Sequence, residues 1–234
     1  MATPAVRTRP DGLLTGLLLA GVGGFLDAYT FVGYGGVFAN AQTGNIVLFG
    51  VDCQAGHWRE AALHIPPVAA FILGVAFAQT LAQPEVRKVV RRPTRWVLVA
   101  EIVVLAAAGA RPDWVPRQVV PGVIAFAAAV QVSTFRSLDG VEYSSTLTTS
   151  NLRTLTAKIY QWRARHDPAS RHQAALLAYV VAAFAAGAAV GGLCTRLIHQ
   201  QAAWIAAAIL IFVLAAIVIE TSRLDRRKEP PDVV

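Results

Sequence analysis

Charge is scarce in this chain. Only 15% of its 234 residues are Asp, Glu, Lys or Arg, while 55% are hydrophobic. A soluble domain usually carries about 25% charged residues. Polar helix faces are scarce too: the long apolar segments have no second, hydrophilic side, so a soluble bundle of amphipathic helices is excluded. Cysteine is nearly absent. Cys53 and Cys194 stand far apart without metal-ligand spacing and read as apolar fillers. Catalytic signatures are missing as well. None of His57, His64, His166, His172 and His199 forms a His-x-x-x-His or Glu-x-x-His pair on one helix. No Walker loop, Gly-x-Ser-x-Gly elbow or dinucleotide fingerprint occurs. The expectation is a protein without enzymatic activity, cofactor or metal.

What is present is apolar sequence in blocks long enough for lipid, with a mean hydropathy of +0.50. Six segments are expected to span: 12–34, 65–83, 96–110, 118–135, 173–195 and 202–221. Two more, 37–52 and 142–160, are shorter and more polar, and are expected to re-enter or lie on the membrane. The fold class is therefore all-α and polytopic, a single membrane domain over 1–234, with the lipid bilayer as its partner.

The net charge of +7 comes from basic residues between the apolar blocks. Arg7 and Arg9, the Arg87–Arg95 group, the Lys158–Arg171 group and the Arg223–Lys228 group all fall on one side of a six-span topology. The positive-inside rule makes that side cytoplasmic, along with both termini. Only Arg59, Arg111, Arg117 and Arg196 are then left outside. The charge is a topology signal, not a nucleic-acid footprint.

The sequence also echoes itself. Thr43-Gly44-Asn45 pairs with Thr149-Ser150-Asn151, "AAFILGVAFAQTL" at 69–81 with "AAFAAGAAVGGLC" at 182–194, and "WVLVAEIVVLAA" from Trp96 with "WIAAAILIFVLAA" from Trp204. Two units follow, about 12–110 and 118–221. Three spans per unit make the second insert upside down, a plan that recurs in secondary transporters with substrate held at the repeat interface.

Asp27 is the first candidate site residue. A carboxylate inside a span costs about 2.5–3.5 kcal/mol on insertion scales, so it is expected to face protein or water. It reads as a proton or cation site or a substrate anchor, or else as an interfacial aspartate bonding nearby amides. Gly16, Ala20 and Gly24 on the same helix form a small-residue stripe for close helix packing. Asn40, Gln42, Thr43, Gly44 and Asn45 either face a ligand at the start of a short helix or cap that helix. Thr148, Thr149 and Asn151 offer the same choice in the second unit, with Thr146 and Arg153 nearby. Gln131, Ser133, Thr134 and Arg136 polarise the end of the fourth span, and Arg136 is a candidate counter-charge for an anion or for Asp27. Glu101, in the third span, is expected to face Arg92 or Arg95.

"GGFLDAYTF", "FANAQTGN" and "STLTTSNLRTL" together resemble the YoaK family of bacterial integral membrane proteins of unknown function, over about 12–222. The resemblance implies Asp27, Thr43, Gly44 and Asn45 as signature residues. The family's second half resembles Gln-Asn-Ala followed by Thr-Gly-Asn, where this chain has Gln131-Val132-Ser133 and Thr149-Ser150-Asn151. No substrate comes with it. The functional expectation is a small-solute transporter or permease in the bacterial inner membrane, with a polar site between inverted halves. The alternative is a non-transporting assembly or signalling partner.

Overall fold

A computed structural model describes residues 12–89 and 92–226; Arg7, Arg9, Arg91, Arg227 and Lys228, used above for topology, lie outside the described residues. The chain forms helices α1 (Leu13–Gly33), α2 (Gln42–Gln54), α3 (Trp58–Leu63), α4 (Ile65–Leu81), α5 (Pro84–Val89), α6 (Pro93–Gly109) and α7 (Val119–Thr134). A small antiparallel hairpin follows, β1 (Ser137–Leu138) with β2 (Val141–Glu142), and then α8 (Thr148–Arg165), α9 (Pro168–Ile198) and α10 (Ala203–Arg226). Three stretches are long and apolar enough to cross a membrane: Leu13–Gly33, Trp58–Leu81 and Pro168–Ser222. The last is interrupted at His199–Ala202 by a 3-10 turn. α7 is apolar but shorter.

Helices occupy all eight expected segments, with shifted ends. The polar segment expected at 37–52 is helical only from Gln42, and the one expected at 142–160 only from Thr148. In both, a side chain described below holds the preceding residues out of the helix. The hairpin was not expected. Its turn is Asp139-Gly140, with φ of 46° and 80°, the left-handed pair that closes a two-residue hairpin loop.

Large apolar side chains fill the centre and also cover the outside. Leu19, Phe25, Leu26, Tyr29, Leu98, Leu105, Ile124 and Leu210 form a buried core, while Ile72, Leu73, Phe77, Leu193, Leu197, Ile211 and Phe212 are exposed. An exterior this apolar on several helices suits hydrocarbon and not water. The molecule has the character of a helical membrane protein.

α1 packs most extensively on α9, and α4 on α7. α6 lies against both α7 and α10, α10 also against α1, while α2 rests on α4 and α8 on α9. Glycine makes the closest approaches possible. A Cβ on Gly24 would strike the Phe184 carbonyl, and one on Gly187 the Gly21 carbonyl. A Cβ on Gly74 of α4 would lie 2.6 Å from the Phe126 carbonyl of α7. Bare backbone at these positions brings the helices together by van der Waals contact, as packing in lipid requires.

One end of the bundle gathers the exits of α1, α6 and α9. Arg117 donates to the Gly33 carbonyl at 2.8 Å, Gln200 Nε2 to the Arg111 carbonyl at 3.2 Å, and Tyr29 Oη to the Gln200 carbonyl at 3.0 Å. At the other end, Leu138 of the hairpin that follows α7 packs over Gly16 near the start of α1. α1 and α7 therefore run in opposite directions.

Candidate functional site

Two non-helical loops reach the middle of α1, and each is shaped by one asparagine. In the first, Asn45 Oδ1 accepts from the Phe38 N–H at 2.9 Å and Asn45 Nδ2 donates to the Phe38 carbonyl at 2.8 Å. In the second, Asn151 Oδ1 accepts from the Ser144 N–H at 2.9 Å and Asn151 Nδ2 donates to the Ser144 carbonyl at 2.6 Å. Each side-chain amide pairs with a backbone seven residues earlier, as a neighbouring strand would. Both asparagines are buried, so these bonds satisfy groups that water does not reach. Pinned this way, the loop stays irregular until three residues before the asparagine, where α2 and α8 begin.

Asp27 ties the first loop to α1. Its Oδ1 accepts from the Asn40 N–H at 2.6 Å and from the Ala41 N–H at 3.3 Å, and the residue is only 5% exposed. Asn40 Nδ2 donates to the Gly23 carbonyl at 3.0 Å. Thr30 Oγ1, on the next turn, accepts from the Ala39 N–H at 3.0 Å. The second loop touches the same stretch of helix: a Cβ on Gly23 would lie 2.8 Å from the Ser145 carbonyl and 3.2 Å from Thr146 Cγ2.

Between these loops lies a cavity of about 860 Å³. Its polar lining is Asp27, Gln42 and Thr43 from one side, Thr146, Thr148, Thr149 and Ser150 from the other, and Arg196 from the last turn of α9. Phe31, Phe38, Phe184 and Leu193 supply apolar wall. Sequence reading thus pointed to residues that meet in space. Their roles divide: Thr43, Thr148 and Thr149 border the cavity, whereas Asn45 and Asn151 brace the loops behind it. Gln42 does both, since Nε2 donates to the Ala39 carbonyl at 2.7 Å and Oε1 accepts from Asn45 Nδ2 at 2.8 Å. Gly44 stands against the Phe38 ring, which a Cβ would approach to 2.9 Å.

Two candidates lie elsewhere. Arg136 borders a separate groove of about 360 Å³ with Ser133, Glu142 and Thr154, so it does not face Asp27. Ser133 and Thr134 donate back to the Ala129 and Val130 carbonyls of their own helix at 2.7 Å. Gln131 is buried beside Glu101, whose carboxyl its side-chain amide approaches. That replaces the expected Arg92 or Arg95 as the group acting on Glu101. α6 packs on α7 along this face, which turns Glu101 toward Gln131. Glu101 Oε2 and Gln131 Nε2 nevertheless lack a fully formed hydrogen bond, and Glu101 borders an apolar pocket of about 280 Å³ with Phe77, Trp96 and Phe126. Among the described residues no group of three or more His, Cys, Asp or Glu is arranged to hold a metal ion. Arg196 is a cavity residue that sequence reading assigned to topology alone; a cation just past the apolar run of α9 was its only signal.

Apolar helices that suit lipid, with a cavity between the starts of α2 and α8, give the chain the character of a helical membrane protein. The chain belongs to the family described as Protein of unknown function (DUF1275), whose model matches residues 15–216. No curated protein and no solved structure matches the chain.

Proposed function

We propose that the chain is a multi-pass protein of the bacterial cytoplasmic membrane, with both termini cytoplasmic, that passes a small solute between two inverted halves. The observation that carries this reading is the single cavity shared by Asp27 and the starts of α2 and α8. Polar groups at the breaks of two membrane helices are the usual makings of a midplane transport site. The packing supports the inverted repeat. Exchanging the first half for the second turns α1 on α9 into α7 on α4, α6 on α7 into α10 on α1, and α2 on α4 into α8 on α9. Gly74 and Gly187, in register by the sequence match, serve the two equivalent crossings. The paired loops braced by Asn45 and Asn151 fit the same relation. The YoaK-like signature falls on these residues too. Membrane lipid is the partner, nucleic acid is not, and no step of the reading asks for catalysis or a cofactor.

Flux through proteoliposomes tests it. The side chain of Ala189 is exposed and borders the cavity, so Ala189→Trp fills the path without disturbing the core. A panel of labelled small solutes should include some that wild type passes and Ala189→Trp does not. Flux of every transported solute surviving the tryptophan would place the path outside this cavity, and no flux above that of empty liposomes leaves a non-transporting assembly or signalling role in its place.

A further inference from the structure

α8 carries no carboxylate. Arg153, Lys158, Arg163 and Arg165 lie on it, and Arg171 follows in the first turn of α9. Between Glu142 and Glu220, Asp167 is the one acidic residue. Its carboxyl is taken up by the Ser170 hydroxyl and by the N–H groups of Ala169 and Ser170. Among the described residues, Lys158, Arg165 and Arg171 form no ion pair. Helix dipoles explain only part of this charge. Arg165 suits the negative end of α8, but Arg171 stands at the positive end of α9, where a cation is disfavoured.

Three of these cations share one place. Lys158 and Arg165 stand in an i, i+7 relation on one face of α8, with Trp162 between them. α8 packs on α9, and the Arg171 guanidinium lies over the Trp162 ring, 5.5 Å from its centroid. The depth of this cluster in a bilayer follows from α9. The apolar run of that helix begins at Ala174, just after Arg171, in a stretch long and apolar enough to cross a membrane. The cluster therefore stands level with lipid headgroups. Tyr160, 74% exposed, and Trp162 fit that depth, since amphipathic aromatic rings gather at this boundary. Ile159 and Leu152, exposed nearer the start of α8, suit the acyl chains below.

We propose that the elbow between α8 and α9 docks the headgroup of an anionic glycerophospholipid, with the phosphate among Lys158, Arg165 and Arg171. Cations without carboxylate partners supply both the donors and the charge that a phosphate ester needs. The rest of the headgroup decides between lipids. A choline or ethanolamine headgroup brings its own cation against these three, whereas a glycerol headgroup brings none. A soluble phosphate would leave Ile159 and Leu152 uncovered. The assignment needs α9 in a bilayer and is independent of transport through the cavity.

Binding of fluorescent phosphatidylglycerol to the full-length protein in nonionic detergent tests it. Saturable binding is expected, displaced by unlabelled phosphatidylglycerol but not by phosphatidylcholine or glycerol phosphate. Lys158→Gln, Arg165→Gln and Arg171→Gln should each weaken it about fivefold, while Arg165→Lys and Arg171→Lys stay near wild type. Arg87→Gln, on α5, and Arg163→Gln, on another face of α8, remove the same charge and should change it less than about twofold. Equal loss in these two variants would reduce the effect to general attraction, and loss in the lysine variants as large as in the glutamine ones would mean that charge is not the cause; either overturns the docking site. Displacement by phosphatidylcholine or by glycerol phosphate as effective as by phosphatidylglycerol, or by a short RNA duplex, overturns it as well. Flux through the cavity is read separately, so either reading can fail while the other stands.

Discussion

The loops before α2 and α8 are built alike and anchored differently. Each is braced by an asparagine whose amide pairs with the backbone seven residues earlier. Only the first is also held by a carboxylate, Asp27, through two backbone N–H groups. Pairing Thr43 with Thr149 sets Ser133 opposite Asp27; Ser133 donates to the Ala129 carbonyl of its own helix and lies outside the cavity of about 860 Å³. What the two loops share is therefore shape, two helix starts bordering one space. What only the first has is a carboxylate holding it from α1. One asparagine is enough to fix such a loop's path without a carboxylate behind it.

The largest expected effect falls on the shared device. Asn45→Ala and Asn151→Ala each leave a backbone N–H and carbonyl without partners, at about 2–3 kcal/mol apiece. The two variants should lower the thermal midpoint in detergent by similar amounts, and Asn→Asp, which keeps the acceptor and loses the donor, by about half as much. A loss confined to Asn45→Ala would break the equivalence of the two loops.

The next effect separates two buried carboxylates. Asp27 satisfies two N–H groups, whereas Glu101 sits beside an apolar pocket with Oε2 unpaired. Asp27→Ala should cost about 1–3 kcal/mol in the same assay, and Glu101→Leu should leave the midpoint unchanged or raise it, because an apolar group replaces an unsatisfied one. A drop for Glu101→Leu as large as that for Asp27→Ala would mean that the Glu101 carboxyl is held as firmly as Asp27.

The difference between these two residues bears on what sequence can carry. Long apolar runs and the lone charge of Asp27 were readable because lipid penalises exceptions strongly. The polar runs were readable as unusual, and the cavity did gather Asp27, Thr43, Thr148 and Thr149. The division between bracing and lining was not, since Asn45 finds its partner only once the loop has bent back on Phe38. Gln131 and Arg136 look equally exposed to a path in the sequence. The packing of α7 against α4 and α6 sends one to Glu101 and the other to a separate groove. Thr146 and Arg196 belong to the cavity only because α9 crosses α1 at bare glycine, which brings remote segments together. The shifted starts of α2 and α8 have the same origin, for helix propensity loses to the asparagine brace.

The smallest expected effect sharpens the contrast between bare and capped helix starts. The Asp167 carboxyl accepts from Ser170 Oγ at 2.6 Å and from the N–H groups of Ala169 and Ser170 at 3.0 and 3.1 Å. The Ser170 hydroxyl and then the Ala169 N–H hold it below the ordinary carboxylate range. A depressed folded-state value means that the cap contributes in full above the unfolded value of about 3.9 and is lost as pH falls through the lower folded one. Protection of the Ala169 and Ser170 amides, corrected for intrinsic exchange rates, should therefore hold from neutral pH down to the ordinary carboxylate range and decline below it. Asp167→Ala should abolish that protection at neutral pH. The amides of Thr43, Thr148 and Thr149, which meet no side-chain cap, should exchange without this pH-dependent protection. Protection there equal to that of Ala169 would mean that the starts of α2 and α8 are capped after all, and the contrast with α9 would fail.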